Sequence, residues 1–169
     1  SDDQTYIVPK TTSSGSSSGG YSHSHNWVDN YCAGCNQFKD TVVAAIGTKG
    51  YETLAAAVAA AHDGDTVKLV GNTELDADVS ISNKITLDLD DKTIETKGNT
   101  ISIAATGDLT VTGNGIVNNN TEATVETVNG KEVNVRYTMF AVDAGGKLTI
   151  ENGTFTTKAA QIVYTYGST

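Results

Sequence analysis

The chain has little proline, little arginine and no long apolar run, and each shortage excludes a class of structure or partner. Its one proline, Pro9, stands near the start, so nothing later interrupts a ladder of strand hydrogen bonds. No run of about 18 apolar residues occurs, which excludes membrane insertion in this segment. Arg136 is the only arginine among 11 basic residues, and the formal net charge is −9. Such a surface repels nucleic acid, and it repels polyanionic glycans unless a cation bridges them.

What the chain does have is a repeat. Three stretches, which start at Val79, Ile101 and Phe140, carry apolar residues at the same offsets of 0, 2, 8, 10 and 15, and a fourth copy starts at Ile162. Apolar residues alternate with Ser, Thr, Asp and Asn, so one face of each strand points inward and the other meets water. A short repeat made only of strands predicts an all-β solenoid, a β-helix of about four coils. A β-sandwich whose strands are similar by chance is the alternative.

The shared offsets also predict which side chains stack between coils. Two inner rows are expected, namely Leu87 with Leu109 and Leu148, and Ile94 with Ile116 and Phe155. Two outer rows are expected, namely Asp88 over Thr110 over Thr149, and Asp90 over Thr112 over Glu151. Asp90 and Glu151 would then be two strand spacings of about 4.8 Å apart, too far to share one calcium ion. The run Asp88-x-Asp90-Asp91 is a candidate calcium site or, alternatively, a solvated acidic face.

The ionisable groups do not form a catalytic constellation in this register. Arg136 falls in an inserted segment, Lys92 in a turn, and His62 after a helix beside two aspartates. The sequence therefore predicts a protein that is not an enzyme.

The third copy is preceded by extra chain. It starts 39 residues after the second, whereas the second starts 22 after the first. The additional segment, about 119–138, has two β-rich runs around Asn129-Gly130, and this dipeptide is the strongest short hairpin signal. We expect a hairpin inserted between coils two and three, with an irregular extra coil as the alternative.

One helix is predicted, over residues 51–61. The segment is rich in alanine and places Leu54, Val58 and Ala61 on one face. The turn Asp63-Gly64-Asp65 then leads into a first strand, so the coils are expected from residue 66. An amphipathic helix at this place suits a cap over the first coil.

The stretch from Tyr51 to Leu69 resembles the opening of the pectin-lyase-like β-helices, which begin with a capping helix, a Gly-Asp-Thr turn and a first strand. Ile85-Thr-Leu-Asp-Leu, Leu109-Thr-Val and Leu148-Thr-Ile-Glu-Asn-Gly-Thr-Phe are similar to the coils of that family. The resemblance covers about residues 50–169 and, in style, is to large surface proteins of Gram-positive gut anaerobes. It implies a right-handed parallel β-helix with an N-terminal capping helix. It implies no single activity, because the fold hosts polysaccharide lyases, hydrolases and non-catalytic surface proteins.

The first 40 residues are a different kind of sequence. Residues 1–20 are predicted to be a flexible tail and a Ser/Gly linker, since Thr11 to Gly20 is almost pure Ser, Thr and Gly. Residues 1–10 carry one short β-like run, Tyr6-Ile7-Val8, and the last strand of a preceding module is the alternative for them. Residues 21–40, here called the His/Cys module, contain both cysteines and two of the three histidines. Residues 41–169 are predicted to be the β-helix.

The His/Cys module carries a candidate metal site. Cys32-x-x-Cys35 supplies two thiolates from one tight turn, and His23-x-His25 can add two imidazoles, a set that tetrahedral zinc prefers. The stretch also resembles small zinc-ribbon-like modules of Gram-positive surface proteins. We expect a structural zinc ion on His23, His25, Cys32 and Cys35. A Cys32–Cys35 disulfide is the alternative, since a secreted chain meets an oxidising compartment.

The function expected from these features is an adhesin-like, non-catalytic binding module for a glycan or a protein, secreted or at the cell surface. Exposed tyrosines among Tyr137, Tyr164 and Tyr166 are candidates to stack on sugars. The alternatives are a structural subunit or spacer of an extracellular filament, and a fragment of a polysaccharide lyase or glycoside hydrolase. The fourth copy stops at Thr169 within a coil, so we expect a truncated solenoid whose open C-terminal coil allows self-association.

Overall fold

The computed structural model describes residues 5–8, 21–158 and 161–167. These residues are mostly β-strand with one short helix, so the all-β prediction is confirmed. That helix has seven residues, and in the described part of the chain no helix is long and apolar enough to cross a membrane.

The strands and the helix follow one another along the chain as short elements. Those of the first half are β1 (Thr5–Val8), β2 (Tyr21–Ser24), β3 (Trp27–Val28), β4 (Tyr31–Cys32), β5 (Gln37–Phe38), β6 (Ala44–Ile46), β7 (Lys49–Tyr51), α1 (Leu54–Ala60), β8 (Thr66–Leu69) and β9 (Thr73–Glu74). Those of the second half are β10 (Val79–Ile81), β11 (Lys84–Asp88), β12 (Lys92–Glu95), β13 (Ile101–Ile103), β14 (Asp108–Thr112), β15 (Gly115–Asn119), β16 (Thr124–Val128), β17 (Lys131–Val135), β18 (Thr138–Val142), β19 (Lys147–Ile150), β20 (Thr154–Thr157) and β21 (Gln161–Thr165).

Three sheets of parallel strands organise the chain from β8 onward. Sheet A has the order β10-β13-β18-β21, sheet B β19-β14-β11-β8-β6-β7, and sheet C β20-β15-β12-β9. Each of the three sequence repeats contributes one strand to each sheet, and equivalent strands pair in parallel. Only β6 and β7, at one end of sheet B, run antiparallel to their neighbours.

The predicted rows of side chains stacked between repeats are confirmed in part. In sheet A, Val79, Ile101 and Phe140 are partners, as the offsets predict. In sheet B, Leu109 pairs with Leu148 and Thr110 with Thr149, again as predicted.

Between the first two repeats, the predicted stacking in sheet B is wrong by two residues. Leu87 pairs with Val111 rather than with Leu109, and Asp88 pairs with Thr112 rather than with Thr110. The cause is the connection between sheets A and B, which has two residues after β10 and four after β13. A shift by two preserves the alternation of inner and outer faces, so the apolar pattern alone does not reveal it.

The predicted inner row of sheet C is wrong by one residue. Ile94 and Phe155 pair with Val117, not with Ile116. Val117 is fully buried, whereas Ile116 is 42% exposed. The turn from sheet B to sheet C has two residues before β15 and three before β12, which cancels one residue of the two-residue shift in sheet B. The net displacement in sheet C is therefore one residue, so a fixed offset falls on the wrong face.

The fourth copy is also displaced by one residue. Phe140 pairs with Val163, so Ile162 is not the equivalent of Phe140, although it is half-buried and packs against the core. Val163 stands eight residues after Phe155, whereas Ile101 stands seven after Ile94. The connection before the fourth copy is therefore one residue longer.

The predicted helix 51–61 is shorter in the structure, where α1 covers Leu54–Ala60. It begins at Thr53, whose side chain accepts a hydrogen bond from the Ala56 N–H, and this N-cap prevents extension toward Tyr51. Tyr51 belongs instead to the hairpin β6–β7. The buried face is Leu54, Ala57 and Ala61, with Val58 half-buried.

One hydrophobic cluster joins the inner residues of all three sheets and the helix. Ile81 in sheet A, Leu87 in sheet B, Ile94 in sheet C and Leu54 in α1 all belong to it. The helix contacts β10, β6 and β7, so it lies at the end of the core where the first repeat begins.

An antiparallel hairpin stands where the sequence places an insertion. Strands β16 and β17 pair with each other, and Asn129 and Gly130 form the two-residue turn, both with positive φ. Nearly all residues of this hairpin are exposed, including Val125 and Val128.

Of residues 1–20, the structure describes only residues 5–8. Residues 5–8 form strand β1, which pairs antiparallel with β2 and contains the β-rich run Tyr6-Ile7-Val8. The linker residues 9–20 lie outside the described residues.

Candidate functional sites

The His/Cys module folds as a small antiparallel sheet of β3, β4 and β5. Trp27 pairs with Cys32, and Cys32 pairs in turn with Gln37. Asp29 and Asn30 make the β3–β4 turn with φ of 51° and 63°, a left-handed conformation that short polar side chains tolerate. The turn residues therefore fix the strand pairing that places Cys32 at the start of the second turn.

Three side chains of the kind that bind metals meet at the second turn, between β4 and β5, where Cys32 and Cys35 lie next to His25 from the segment before β3. The ligand atoms of His25, Cys32 and Cys35 all lie within 4.8 Å of one another. The Sγ of Cys35 is 3.3 Å from Nδ1 of His25. His25 and Cys32 are buried, and Cys35 is half-buried. This cluster could hold a metal ion.

The distance between Cys35 and His25 can be compared with that between neighbouring ligands of a tetrahedral ion. With Zn–S and Zn–N bonds of about 2.3 and 2.1 Å, neighbouring ligand atoms stand roughly 3.5–3.8 Å apart. The 3.3 Å between Cys35 and His25 is close to that value, and all three ligand atoms lie within 4.8 Å of one another. Cys32 and Cys35, both within the described residues, are not joined by a disulfide.

His23 is the fourth predicted ligand. Its backbone lies in β2, where it pairs with Tyr6, and its side chain lies outside the part of the chain that the structure describes. The structure thus gathers three of the four predicted ligands.

An aromatic ring, that of Trp27, packs on the histidine of the cluster, and the sequence interpretation missed it. The Trp27 ring stacks on His25 with centroids 4.4 Å apart and planes 16° apart, and the Lys39 ammonium lies 5.8 Å from the Trp27 ring. The sequence signal was present, because a hairpin with its turn at Asp29-Asn30 places Trp27 directly opposite Cys32. This packing restricts the orientation of the imidazole. In metal sites, a neighbouring group commonly orients the ligand histidine in this way.

The two thiols lie close enough to affect each other's ionisation. Desolvation, and then the neighbouring Cys32, raise the pKa of the Cys35 thiol above its ordinary value. Two thiolates at this spacing repel each other unless a positive charge lies between them. A divalent cation would supply that charge and bind the deprotonated sulfurs.

The His/Cys module is attached to the rest of the fold through Gly50. The Gly50 N–H donates to the Asp29 carbonyl at 2.8 Å, and the Asn30 side chain donates to the Gly50 carbonyl at 3.0 Å. A Cβ on Gly50 would lie 2.9 Å from side-chain carbons of Phe38 and Val42, so only glycine allows this approach. The cluster of His25, Cys32 and Cys35 is thereby held beside the β6–β7 hairpin.

The candidate calcium run does not form a cluster of ligands. Asp88 accepts a hydrogen bond from the Asp90 N–H at 3.1 Å, and the Asp90 carboxylate pairs with Lys68 at 3.3 Å. Asp90 and Asp91 have positive φ and form the turn after β11. Among the described residues, the only group of three or more metal-ligating side chains is the His25 cluster.

A groove of about 430 Å³ lies on the outer side of sheet A, next to the inserted hairpin. Its lining includes Asp78, Arg136, Tyr137, Asp143 and Tyr166. Tyr166 is 55% exposed, whereas Tyr137 is half-buried. In the described part of the chain, no carboxylate lies within ion-pair distance of the arginine, so its guanidinium keeps donors for a ligand.

Comparison of the chain with protein-family models, with curated proteins and with solved structures gave no match.

Proposed function

We propose that the three parallel sheets form a right-handed parallel β-helix, of the pectin-lyase-like type that the sequence resembles. The parallel pairing of equivalent strands in three successive repeats supports this proposal. So does the single hydrophobic cluster shared by all three sheets. The helix α1 would then be the N-terminal cap.

The ion proposed for the His25 cluster is zinc, in a structural role. Two thiolates and an imidazole are ligands that zinc prefers, and His23 is the candidate for the fourth position. The residues between the ligands are few and the module has a small core, so an ion would supply much of its stability.

We propose that the protein is a non-catalytic binding module, secreted or at the cell surface, and that its ligand is a glycan. The groove beside the hairpin is the observation that carries this proposal. Its volume lies in the range of about 300–1,000 Å³ that ligand sites occupy.

The chemistry of the groove suits sugar hydroxyl groups. Asp78 and Asp143 can accept hydrogen bonds from them, and the five N–H groups of Arg136 can donate. Tyr166 offers an exposed ring whose face can pack on the C–H groups of a sugar. The two carboxylates also disfavour a polyanionic ligand.

A glycan array tests the proposal. The wild-type protein should bind a limited set of neutral glycans, and Arg136→Gln should weaken that binding at least tenfold. Lys131→Gln, an exposed change in the hairpin outside the groove, is the matched control and should leave binding unchanged. An array without bound glycans, or equal losses in both variants, would contradict the proposal.

A filament subunit is the second candidate, and one observation favours it. Among the described strands, the three sheets end in β19, β20 and β21, each with one neighbouring strand in its sheet. Ile150 and Val163, both 41% exposed, lie there along a cavity of about 490 Å³. Apolar side chains beside strand edges favour pairing with a second copy.

Sedimentation at increasing concentration tests this candidate. Wild-type protein should self-associate, and Ile150→Lys should prevent it. Ile116→Lys is the matched control, because Ile116 is equally exposed, at 42%, but lies in an interior strand of sheet C. A wild-type protein that stays monomeric at every concentration would exclude the filament.

A further inference from the structure

A second cleft, of about 560 Å³, lies between the His/Cys module and the outer side of sheet B. The module provides Tyr31, Asn36 and Phe38 on one side, and sheet B with its following turn provides Lys68 and Asp90 on the other. We infer that this cleft binds a neutral sugar ring. The inference goes beyond the groove proposed above, because the two sites share no residue.

The module side of the cleft is aromatic. Tyr31 and Phe38 are partners across β4–β5, with ring centroids 4.9 Å apart and planes tilted by 53°. Two tilted rings form a concave apolar surface on which the C–H groups of a sugar ring can pack. The Tyr31 hydroxyl donates to the Asn36 side-chain oxygen at 2.8 Å, which fixes the orientation of the tyrosine.

The opposite side is polar but electrically balanced. The Lys68 ammonium lies 3.3 Å from the Asp90 carboxylate, and the Lys92 ammonium donates to the Asp90 carbonyl at 3.0 Å. Asp88 is the strand partner of Lys68, so two lysines face two aspartates in this region. An anionic ligand therefore gains little attraction here, whereas sugar hydroxyl groups find both donors and acceptors.

The candidate metal cluster helps to position the aromatic side. Tyr31 immediately precedes Cys32, and Asn36 immediately follows Cys35. An ion on the two cysteines would fix the β4–β5 turn, which lies between Tyr31 and Asn36, and the Gly50 hydrogen bonds hold the preceding β3–β4 turn against the rest of the fold. The cleft is thus a site that exists only while the module is folded and attached.

Nuclear magnetic resonance titration of the full chain, with glucose, galactose and N-acetylglucosamine as probes, tests the inference. At least one sugar should shift the backbone amides of Tyr31, Phe38 and Lys92 in a saturable manner. Tyr31→Ser should weaken that binding at least tenfold, whereas Tyr31→Phe should retain it. Tyr137→Ser, in the other groove, is the matched control and should leave it unchanged.

Two further variants keep the test decisive if Tyr31→Ser does not fold. Lys92→Gln should weaken the binding, and Lys84→Gln, an exposed lysine outside the cleft, should not. Shifts confined to Tyr137 and Tyr166 would support the groove and overturn the cleft. Glucuronate that binds the cleft more tightly than glucose would overturn the choice of a neutral sugar, and an absence of shifts at the cleft residues would overturn the inference entirely.

Discussion

The replacement of Leu109 by alanine tests the inner and outer faces of the strands most sharply. Leu109 has no exposed surface and lies between Ile85 and Leu148 in neighbouring strands. Its truncation removes buried methyl groups and leaves a cavity that parallel neighbours cannot close, so the free energy of unfolding should fall by roughly 2–5 kcal/mol. For a domain of this size each kcal/mol corresponds to about 2–4 °C, so the melting temperature should fall by roughly 4–20 °C.

Thr110→Ala is the matched control, since Thr110 is the next residue on the same strand. It is half-buried on the outer face, between Thr86 and Thr149, and should cost less than about 1 kcal/mol. Urea denaturation of both variants followed by circular dichroism gives the comparison. Equal losses would mean that the faces are assigned one residue out of register, which would refute every inner and outer position along β14.

Three further changes test other parts of the structure by denaturation. Val117→Ala should cost about 2 kcal/mol while Ile116→Ala costs little, and the reverse order would restore the row expected from the sequence. Gly50→Ala should lower the free energy of unfolding by roughly 1–3 kcal/mol and speed amide hydrogen exchange in the His/Cys module, because the added carbon would lie 2.9 Å from an aromatic carbon of that module. Unchanged exchange would show that this contact is unimportant. The hydrogen bond to Glu74 raises the pKa of Lys97 above 10.5, so the stabilisation by the charged lysine is present below that pH and is lost as the pH rises through the raised pKa. The difference in stability between wild type and Lys97→Gln should therefore vanish above the raised pKa, and a difference that stays constant with pH would contradict this.

The sequence predicts the strands better than it predicts the lengths of the connections between them. Alternation of apolar and polar residues identifies Val79, Ile101 and Phe140 as partners, because each strand must turn one face to a shared core. The connections follow no such rule. Turns of two, three or four residues are equally compatible with alternation within the strands. The partner of Leu87 is therefore two residues from the predicted one, and the partner of Ile94 is one residue from it.

The candidate metal site was predictable from residue type and spacing, and its surroundings were not. Cys32-x-x-Cys35 and His25 lie together because a turn of this length brings both thiols to one side of the hairpin. The stacking of Trp27 on His25 depends on strand pairing within the module, and the attachment through Gly50 depends on packing between distant segments. The groove beside the hairpin and the cleft beside the His/Cys module arise in the same way, from residues that are far apart in the sequence.

The central claim about the His/Cys module is that it holds one zinc ion, and elemental analysis with X-ray absorption at the zinc edge measures this directly. Protein purified without added metal should contain about one zinc ion per chain, with two sulfur ligands at about 2.3 Å and nitrogen ligands at about 2.0–2.1 Å. A variant with Cys32→Ser and Cys35→Ser should contain none. A metal-free wild-type protein whose intact mass shows a Cys32–Cys35 disulfide would contradict the claim.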